Sequence, residues 1–138
     1  MREILFRGKR KDNGEWVEGF LRIRYFEELP HDRYVIQYET TGDEYKWTPK
    51  YMVAEIDPET VGQYTGLTDK NGKKIFEGDI LEHKVQSDIL INRGVVNWDS
   101  QNARWALQLN TMNPCFYMHN PEAVEIIGNI HDNPEFLK

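Results

Sequence analysis

The chain has 138 residues, a formal net charge of −6 and one cysteine. This length suits one domain, or two small ones that share a core. The single cysteine excludes an internal disulfide, and the acidic balance argues against a protein that grips nucleic-acid phosphates with lysine and arginine. There is neither an apolar leader at the N-terminus nor a run near the roughly 20 apolar residues that cross a bilayer. We therefore expect a cytoplasmic protein with no membrane partner.

The first part of the chain has the pattern of β-hairpins. Asn13-Gly14 lies between the apolar residues 4–6 and a strand predicted over 16–23. Asn-Gly favours a two-residue hairpin turn because both central residues of that turn need a positive φ. Strands are predicted next at 33–38 and 45–48. Residues 52–56 suit either a strand or a helical turn, and residues 57–60 suit a turn with a short helix.

The middle of the chain, residues 66–81, is the most informative segment and is called the central block. It contains a second hairpin tip at Asn71-Gly72 and a bend at Gly78-Asp79. Glycine adopts backbone conformations that other residues resist, and an aspartate at a turn accepts hydrogen bonds from nearby backbone N–H groups. Such bends are how small barrels turn corners. We interpret six residues as a structural or interaction motif rather than a catalytic one, namely Gly66, Asn71, Gly72, Glu77, Gly78 and Asp79.

The rest of the chain alternates like β-strands. The clearest case is a strand predicted over 104–109, where Trp105, Leu107 and Leu109 share one face. Residues 110–119 are predicted to be irregular because Pro114 interrupts them. Strands are also predicted at 61–65, 80–85, 95–98 and 122–130. A final turn with one helical turn is predicted at 131–137.

These elements predict a mainly β fold. Antiparallel hairpins would form a small SH3-like barrel, or a barrel with an added sheet, with one or two short helical turns. We predict one domain over residues 1–138, with two β submodules, 1–60 and 61–138, as the alternative. The hairpin at Asn13-Gly14 resembles the one at Asn71-Gly72. Shared turn chemistry explains that likeness without a duplication.

The residues that could carry chemistry are scattered. His119 and His131 each precede a glutamate, Glu122 and Glu135, at a spacing that could share a metal on one helical face. A proline stands just before each glutamate, so a continuous helix is not expected there. Cys115 has the character of a free, buried cysteine and not of a nucleophile. We predict neither a metal nor a cofactor.

Three segments of the chain resemble a known family. They are its start, middle and end, at residues 1–8, 63–81 and 125–137. Together they are similar to the YopX family of phage and prophage proteins of Gram-positive bacteria. The resemblance implies a phage-encoded protein in a bacterial host cell and makes a homo-oligomer the expected state. It implies no activity and assigns no functional residue.

Three hypotheses for function follow. The favoured one is a non-enzymatic protein that binds another protein: a further copy of itself, a host protein or a phage protein. The alternative is a small barrel that binds nucleic acid, which needs the basic tips at 9–11 and 70–74 to lie on one face. The third is an enzyme with a dispersed site around Asp79, Glu77 and His83.

Overall fold

The computed structural model describes residues 2–25, 33–39, 51–84, 91–109, 115–117 and 123–137. The strand predicted at 45–48 and the pair His119 and Glu122 lie outside these ranges. The chain divides into two compact units, Met1–Gln63 and Tyr64–Lys138.

The first unit is built on an antiparallel sheet. Its strands are β1 (Phe6–Lys9), β2 (Trp16–Arg24), β3 (Arg33–Glu39), β4 (Tyr51–Glu55) and the first residues of β5 (Gly62–Thr68). They are hydrogen-bonded in the order β4-β3-β2-β1-β5. A 3-10 helix at Pro58–Thr60 leads into β5, and the Asp57 carboxylate caps it by accepting from the Glu59 N–H at 3.2 Å. The segment at 52–56 is therefore mostly strand, and the short helix predicted within 57–60 is present.

The β1–β2 hairpin is the one predicted around Asn13-Gly14. Gly14 has a positive φ of +71°, but Asn13 does not, since Ala103 is the only described non-glycine residue with a positive φ. The expected two-residue turn is therefore wrong: the turn is longer, and the Arg10 N–H donates to the Glu15 carbonyl across it at 2.9 Å. The strands pair from Phe6 opposite Gly19 to Lys9 opposite Trp16. The inner face of this sheet packs a small core, made of the buried Ile36, Ala54 and Ile56 with the partly buried Phe6, Val17, Leu21, Tyr38 and Val61.

The second unit contains a five-stranded antiparallel sheet in the order β10-β9-β8-β7-β11. Its strands, with the short β6, are β6 (Lys74–Phe76), β7 (Asp79–Lys84), β8 (Ile91–Asp99), β9 (Arg104–Leu109), β10 (Cys115–Tyr117) and β11 (Val124–Asn129). The later residues of β5 pair with β6, from Tyr64 opposite Phe76 to Thr68 opposite Lys74. A 3-10 helix at Pro134–Leu137 ends the described chain. The core of this unit consists of Ile75, Leu81, Val96, Leu107 and Val124.

The predicted fold class is confirmed. The protein is mainly β with antiparallel strands, and its only full helical elements in the described ranges are two 3-10 helices. Strand pairing among the described residues does not close a ring. The prediction that residues 110–119 are irregular is wrong for Cys115–Tyr117, which forms β10 and pairs with β9. Pro114 stands before that strand in the sequence, where a missing N–H does not interrupt the ladder.

Within the described part of the chain, no helix has the length and apolar character needed to cross a membrane.

Candidate functional site

The hairpin tip of the central block is held by an aspartate that the predicted motif does not include. Gly72 has a φ of +79°, and its N–H donates to the Asp69 carbonyl at 2.9 Å. One carboxylate oxygen of Asp69, Oδ1, accepts from the N–H groups of Asn71 and Lys73, both at 2.9 Å. An aspartate two residues before Asn-Gly is a known turn pattern, so this role had a local signal in the sequence.

The second carboxylate oxygen of Asp69 reaches a distant strand. Its Oδ2 accepts from the N–H of Ile126 in β11 at 3.1 Å, and the side chain is buried. Burial by itself would raise the pKa of the Asp69 carboxyl. The N–H groups of Ile126, Lys73 and Asn71 outweigh it, and the pKa falls below its usual range. The charged carboxylate is therefore the form that the fold stabilises.

This lowered pKa makes stability depend on pH. A carboxyl whose pKa is depressed by folding stabilises the protein above its unfolded pKa, and that contribution is lost as the pH falls through the folded value. We expect the free energy of unfolding to drop on acidification below about pH 4. The free energy of unfolding of Asp69→Asn, measured by urea unfolding at a series of pH values, should fall less steeply on acidification. Equal slopes in the two proteins would contradict this role of Asp69.

The central block is joined to β11 by more than this carboxylate. β7 pairs with β11, with Leu81 opposite Ile126. The Lys70 N–H donates to the Val124 carbonyl at 3.0 Å, and the Lys70 ammonium pairs with Glu125 at 3.0 Å. The middle and the end of the chain, which are separate patterns in the sequence, therefore form one hydrogen-bonded assembly.

The bend after β6 is also tied to neighbouring strands. Gly78 has a φ of +89°; its N–H donates to the Val96 carbonyl at 2.9 Å, and its carbonyl accepts from the Ile130 N–H at 3.0 Å. Asp79 is 2% exposed, and its Oδ2 accepts from the Phe76 N–H at 2.8 Å. The Asp79 carboxylate thus supports the backbone of the bend.

The six motif residues are spread along this segment. Gly66, with a φ of +88°, is exposed where the β5–β6 register shifts. Asn71 and Gly72 lie in the first turn, and Glu77 and Gly78 lie in the bend that leads to Asp79 at the start of β7.

The turn after β11 is held by asparagines. The Asn129 Oδ1 accepts from the N–H groups of His131 and Asp132 at 3.0 and 2.9 Å. A Cβ on Gly128 would lie 2.5 Å from the Asn133 Oδ1, so glycine is needed for this close approach. His131 therefore belongs to a capped turn.

The residues considered for catalysis or metal binding have separate surroundings in the described ranges. No group of three or more His, Cys, Asp and Glu side chains there is arranged to hold a metal ion. Asp79 is bonded to backbone, His83 lies in β7 opposite Val124, and Glu77 borders a cleft.

That cleft lies over the end of the β8–β9 hairpin and has a volume of about 470 Å³. Its lining is Glu77, Asn97, Trp98, Asp99, Ser100, Gln101, Ala106 and Gln108. The Asn97 amide donates to Gln108 at 2.6 Å. The side chains of Asn102 and Arg104 bond to Asp99 and hold the pKa of its carboxyl below its usual range. The described residues of this lining include no His, Cys or Lys.

A different surface stands out in the first unit, where the sheet carries exposed apolar side chains. We call it the outer face: the side of β2, β3 and β4 that bears Phe20, Tyr51 and Val53, which are 65%, 45% and 49% exposed. Phe20 and Val53 both lie opposite Gln37, and Tyr51 lies opposite Glu39. Residues directly opposite share a face in an antiparallel sheet, so these side chains lie on one face, with Gln37 between Phe20 and Val53.

Three residues of the basic tips that a nucleic-acid interface requires, Arg10, Lys11 and Lys70, are paired with carboxylates. Arg10 bonds to Asp12 at 2.6 Å, and Lys11 pairs with Glu55 at 3.2 Å, as Lys70 does with a residue of β11. The two tips belong to different units of the chain. These pairings reduce the positive charge offered to a phosphate backbone.

Comparisons with known proteins identify the lineage. The family described as YopX protein matches residues 5–138. The chain belongs to the YopX family. A solved structure, protein EF1440 from Enterococcus faecalis, is similar over 100% of both chains, with 21% sequence identity and a TM-score of 0.55. At that identity the likeness shows a shared fold. No curated protein matches the chain.

The three segments that resemble the YopX family have structural roles in this fold. At the start, Gly8 lies so close to Ile56 that a Cβ would overlap the Ile56 side chain. In the middle, Asp69 fixes the hairpin tip, and near the end Asn129 caps the last turn. Each of the three segments therefore contains a residue with a structural role.

Proposed function

We propose that this member of the YopX family is a non-enzymatic protein that works by assembling with further copies of itself through the outer face. The observation that carries the proposal is the exposure of Phe20, Tyr51 and Val53 on one side of a sheet. Contiguous apolar patches on soluble proteins usually mark interaction sites, and exposed sheet faces pack readily on other sheets. The phage setting and the cytoplasmic location stay predictions.

The outer face carries charges of both signs. Glu18 and Glu39 lie on it together with Arg22, Arg24 and Arg33. A protein surface of mixed charge can complement such a face.

The non-enzymatic character is supported by how the buried carboxylates are used. Asp69 and Asp79 accept hydrogen bonds from backbone N–H groups. A catalytic carboxylate must instead reach the reacting atoms of a substrate. Both side chains stabilise turns in the present arrangement.

The proposal predicts that the average mass of the protein in solution rises with protein concentration. Sedimentation velocity of the full chain should show association, and Phe20→Asp should weaken it by at least about tenfold, because it places a charge in the apolar patch. Tyr25→Asp is the matched control, since Tyr25 is 76% exposed and follows the end of β2. This control should associate like the wild type.

Two results would overturn the proposal. One is a wild-type chain that stays monomeric up to millimolar concentration. The other is equal association of the Phe20→Asp variant and the wild type. A salt-sensitive band shift with single-stranded DNA by a monomeric chain would support the nucleic-acid alternative instead.

A further inference from the structure

The two Asn-Gly tips each contain a pair of groups that can react with one another. Glycine has no side chain to hinder its amide nitrogen, so this nitrogen can attack the side-chain carbonyl carbon of the asparagine before it. The chain has this pair twice, at Asn13-Gly14 and at Asn71-Gly72, and all four residues are exposed. Each tip is therefore open to spontaneous deamidation.

The reaction needs only water from outside the chain. The glycine nitrogen forms a bond to the asparagine Cγ while the bond from Cγ to Nδ2 breaks, and the proton of the glycine N–H leaves with Nδ2 as ammonia. Water then opens the cyclic imide at one of its two carbonyl carbons, which gives aspartate or isoaspartate. In the first step the asparagine side chain must turn so that Cγ meets the glycine nitrogen.

The attacking nitrogens of the two tips are held equally. The Gly14 N–H donates to the Arg10 carbonyl at 2.9 Å, and the Gly72 N–H donates to the Asp69 carbonyl, also at 2.9 Å. Each bond must open before its nitrogen can attack, and two amide–carbonyl bonds of the same length are of similar strength. The nucleophile therefore does not distinguish one tip from the other.

The asparagine side chains are held differently. The Asn13 Oδ1 accepts from the Glu15 N–H at 2.9 Å, and the Asn13 Nδ2 donates to the Glu15 Oε2 at 3.3 Å. Within the described part of the chain, the Asn71 side chain makes no hydrogen bond. The backbone N–H of Asn71 does donate to the Asp69 Oδ1, but that nitrogen is not one of the reacting atoms.

We infer that Asn71 is a deamidation site of the folded protein and that Asn13 is protected by its side-chain hydrogen bonds. Both bonds of Asn13 must break before its Cγ can turn toward Gly14, which raises the barrier of the first step. The Asn71 side chain has no such bonds to break. In the folded state we expect Asn71 to react about tenfold faster than Asn13.

Deamidation at Asn71 alters the tip that Asp69 holds. An isoaspartate lengthens the backbone by a methylene group between the N–H groups of residues 71 and 72, which both bond to Asp69. The product also carries a new carboxylate two residues from Asp69, whose own carboxylate reaches Ile126. Aged protein is therefore expected to unfold at a lower urea concentration than fresh protein.

Peptide mapping of the aged protein measures the two rates. The folded chain is incubated at mildly alkaline pH, where the glycine nitrogen loses its proton more readily. It is then digested with chymotrypsin, and mass spectrometry follows the deamidated fraction of each tip peptide. The ratio of the Asn71 rate to the Asn13 rate, divided by the same ratio in guanidinium-unfolded protein, should be about ten. This division removes the effect of the different neighbours in the sequence.

Two variants are matched to the two tips. Glu15→Ala removes the acceptor of the Asn13 Nδ2, so it should speed deamidation at Asn13 and leave the Asn71 rate unchanged. Asn71→Gln has a longer side chain that cyclises slowly, so its urea unfolding should change less during incubation than that of the wild type.

A normalised ratio near or below one would overturn the assignment of Asn71. A ratio near ten with an unchanged Asn13 rate in Glu15→Ala would support Asn71 as the site and overturn the protection of Asn13 by the Glu15 side chain. A ratio near ten with a faster Asn13 in that variant supports both. The Asn71 tip lies in the second unit and the outer face lies in the first, so each result is independent of self-assembly through that face.

Discussion

Replacing Asp69 by alanine should lower the free energy of unfolding by about 3 kcal/mol. The variant removes the acceptor for three backbone N–H groups, those of Asn71, Lys73 and Ile126. Asn71 and Lys73 lie in an exposed turn where water can replace the carboxylate. The Ile126 N–H lies in a paired strand, and losing its acceptor costs more. Urea unfolding at neutral pH measures the difference.

Asp12→Ala is the control for this prediction. Asp12 is also an aspartate in a turn, but its salt bridge with Arg10 is exposed, so its loss should have a much smaller effect than the loss of Asp69. A cost for Asp69→Ala no larger than that of Asp12→Ala would show that the link to β11 contributes little. Amide exchange at Ile126 should rise in the Asp69 variant and stay unchanged in the control.

Replacing Gly19 by alanine should destabilise the first unit by at least about 3 kcal/mol. Its Cβ would overlap the carbonyl oxygen of Gln37 and lie 2.8 Å from the Gln37 carbonyl carbon. These are backbone atoms of β3, so no side-chain rotation relieves the clash. β2 and β3 would have to separate or shift register, which also displaces Phe20 on the outer face.

Gly14→Ala separates the clash from the general cost of losing a glycine. Gly14 has a φ of +71°, and a Cβ there would meet nothing within 4 Å. The expected cost is about 1 kcal/mol, from backbone conformation alone. Thermal unfolding followed by circular dichroism compares the two variants. Similar melting temperatures would contradict the close approach of β2 and β3 at Gly19.

Local features of this fold were accessible from the sequence. The Asn-Gly pairs indicated hairpin tips, and Gly14 and Gly72 have a positive φ, although Asn13 and Asn71 do not. The period-two pattern predicted β9, where Leu107 is buried in the core. These features depend on neighbours within a few residues, which is why composition and spacing were enough to predict them.

Features that join distant segments were not accessible in the same way. The bond from Ile126 to Asp69 spans 57 residues, and no local pattern records which strand will lie beside β5 and β6. The outer face shows the same limit. The strand predicted over 16–23 contains Phe20, but the patch also needs Tyr51 and Val53. Val53 belongs to the segment 52–56, which suited either a strand or a helical turn, and Tyr51 precedes it; both pair with β3.

The bond between Asp69 and Ile126 has a consequence for synthesis of the chain on the ribosome. The carboxylate emerges 57 residues before its last donor, a delay of about 3 to 11 s at typical elongation rates. Throughout that interval β7 also lacks its β11 partner. A nascent chain stalled before residue 124 therefore has an open strand edge on β7.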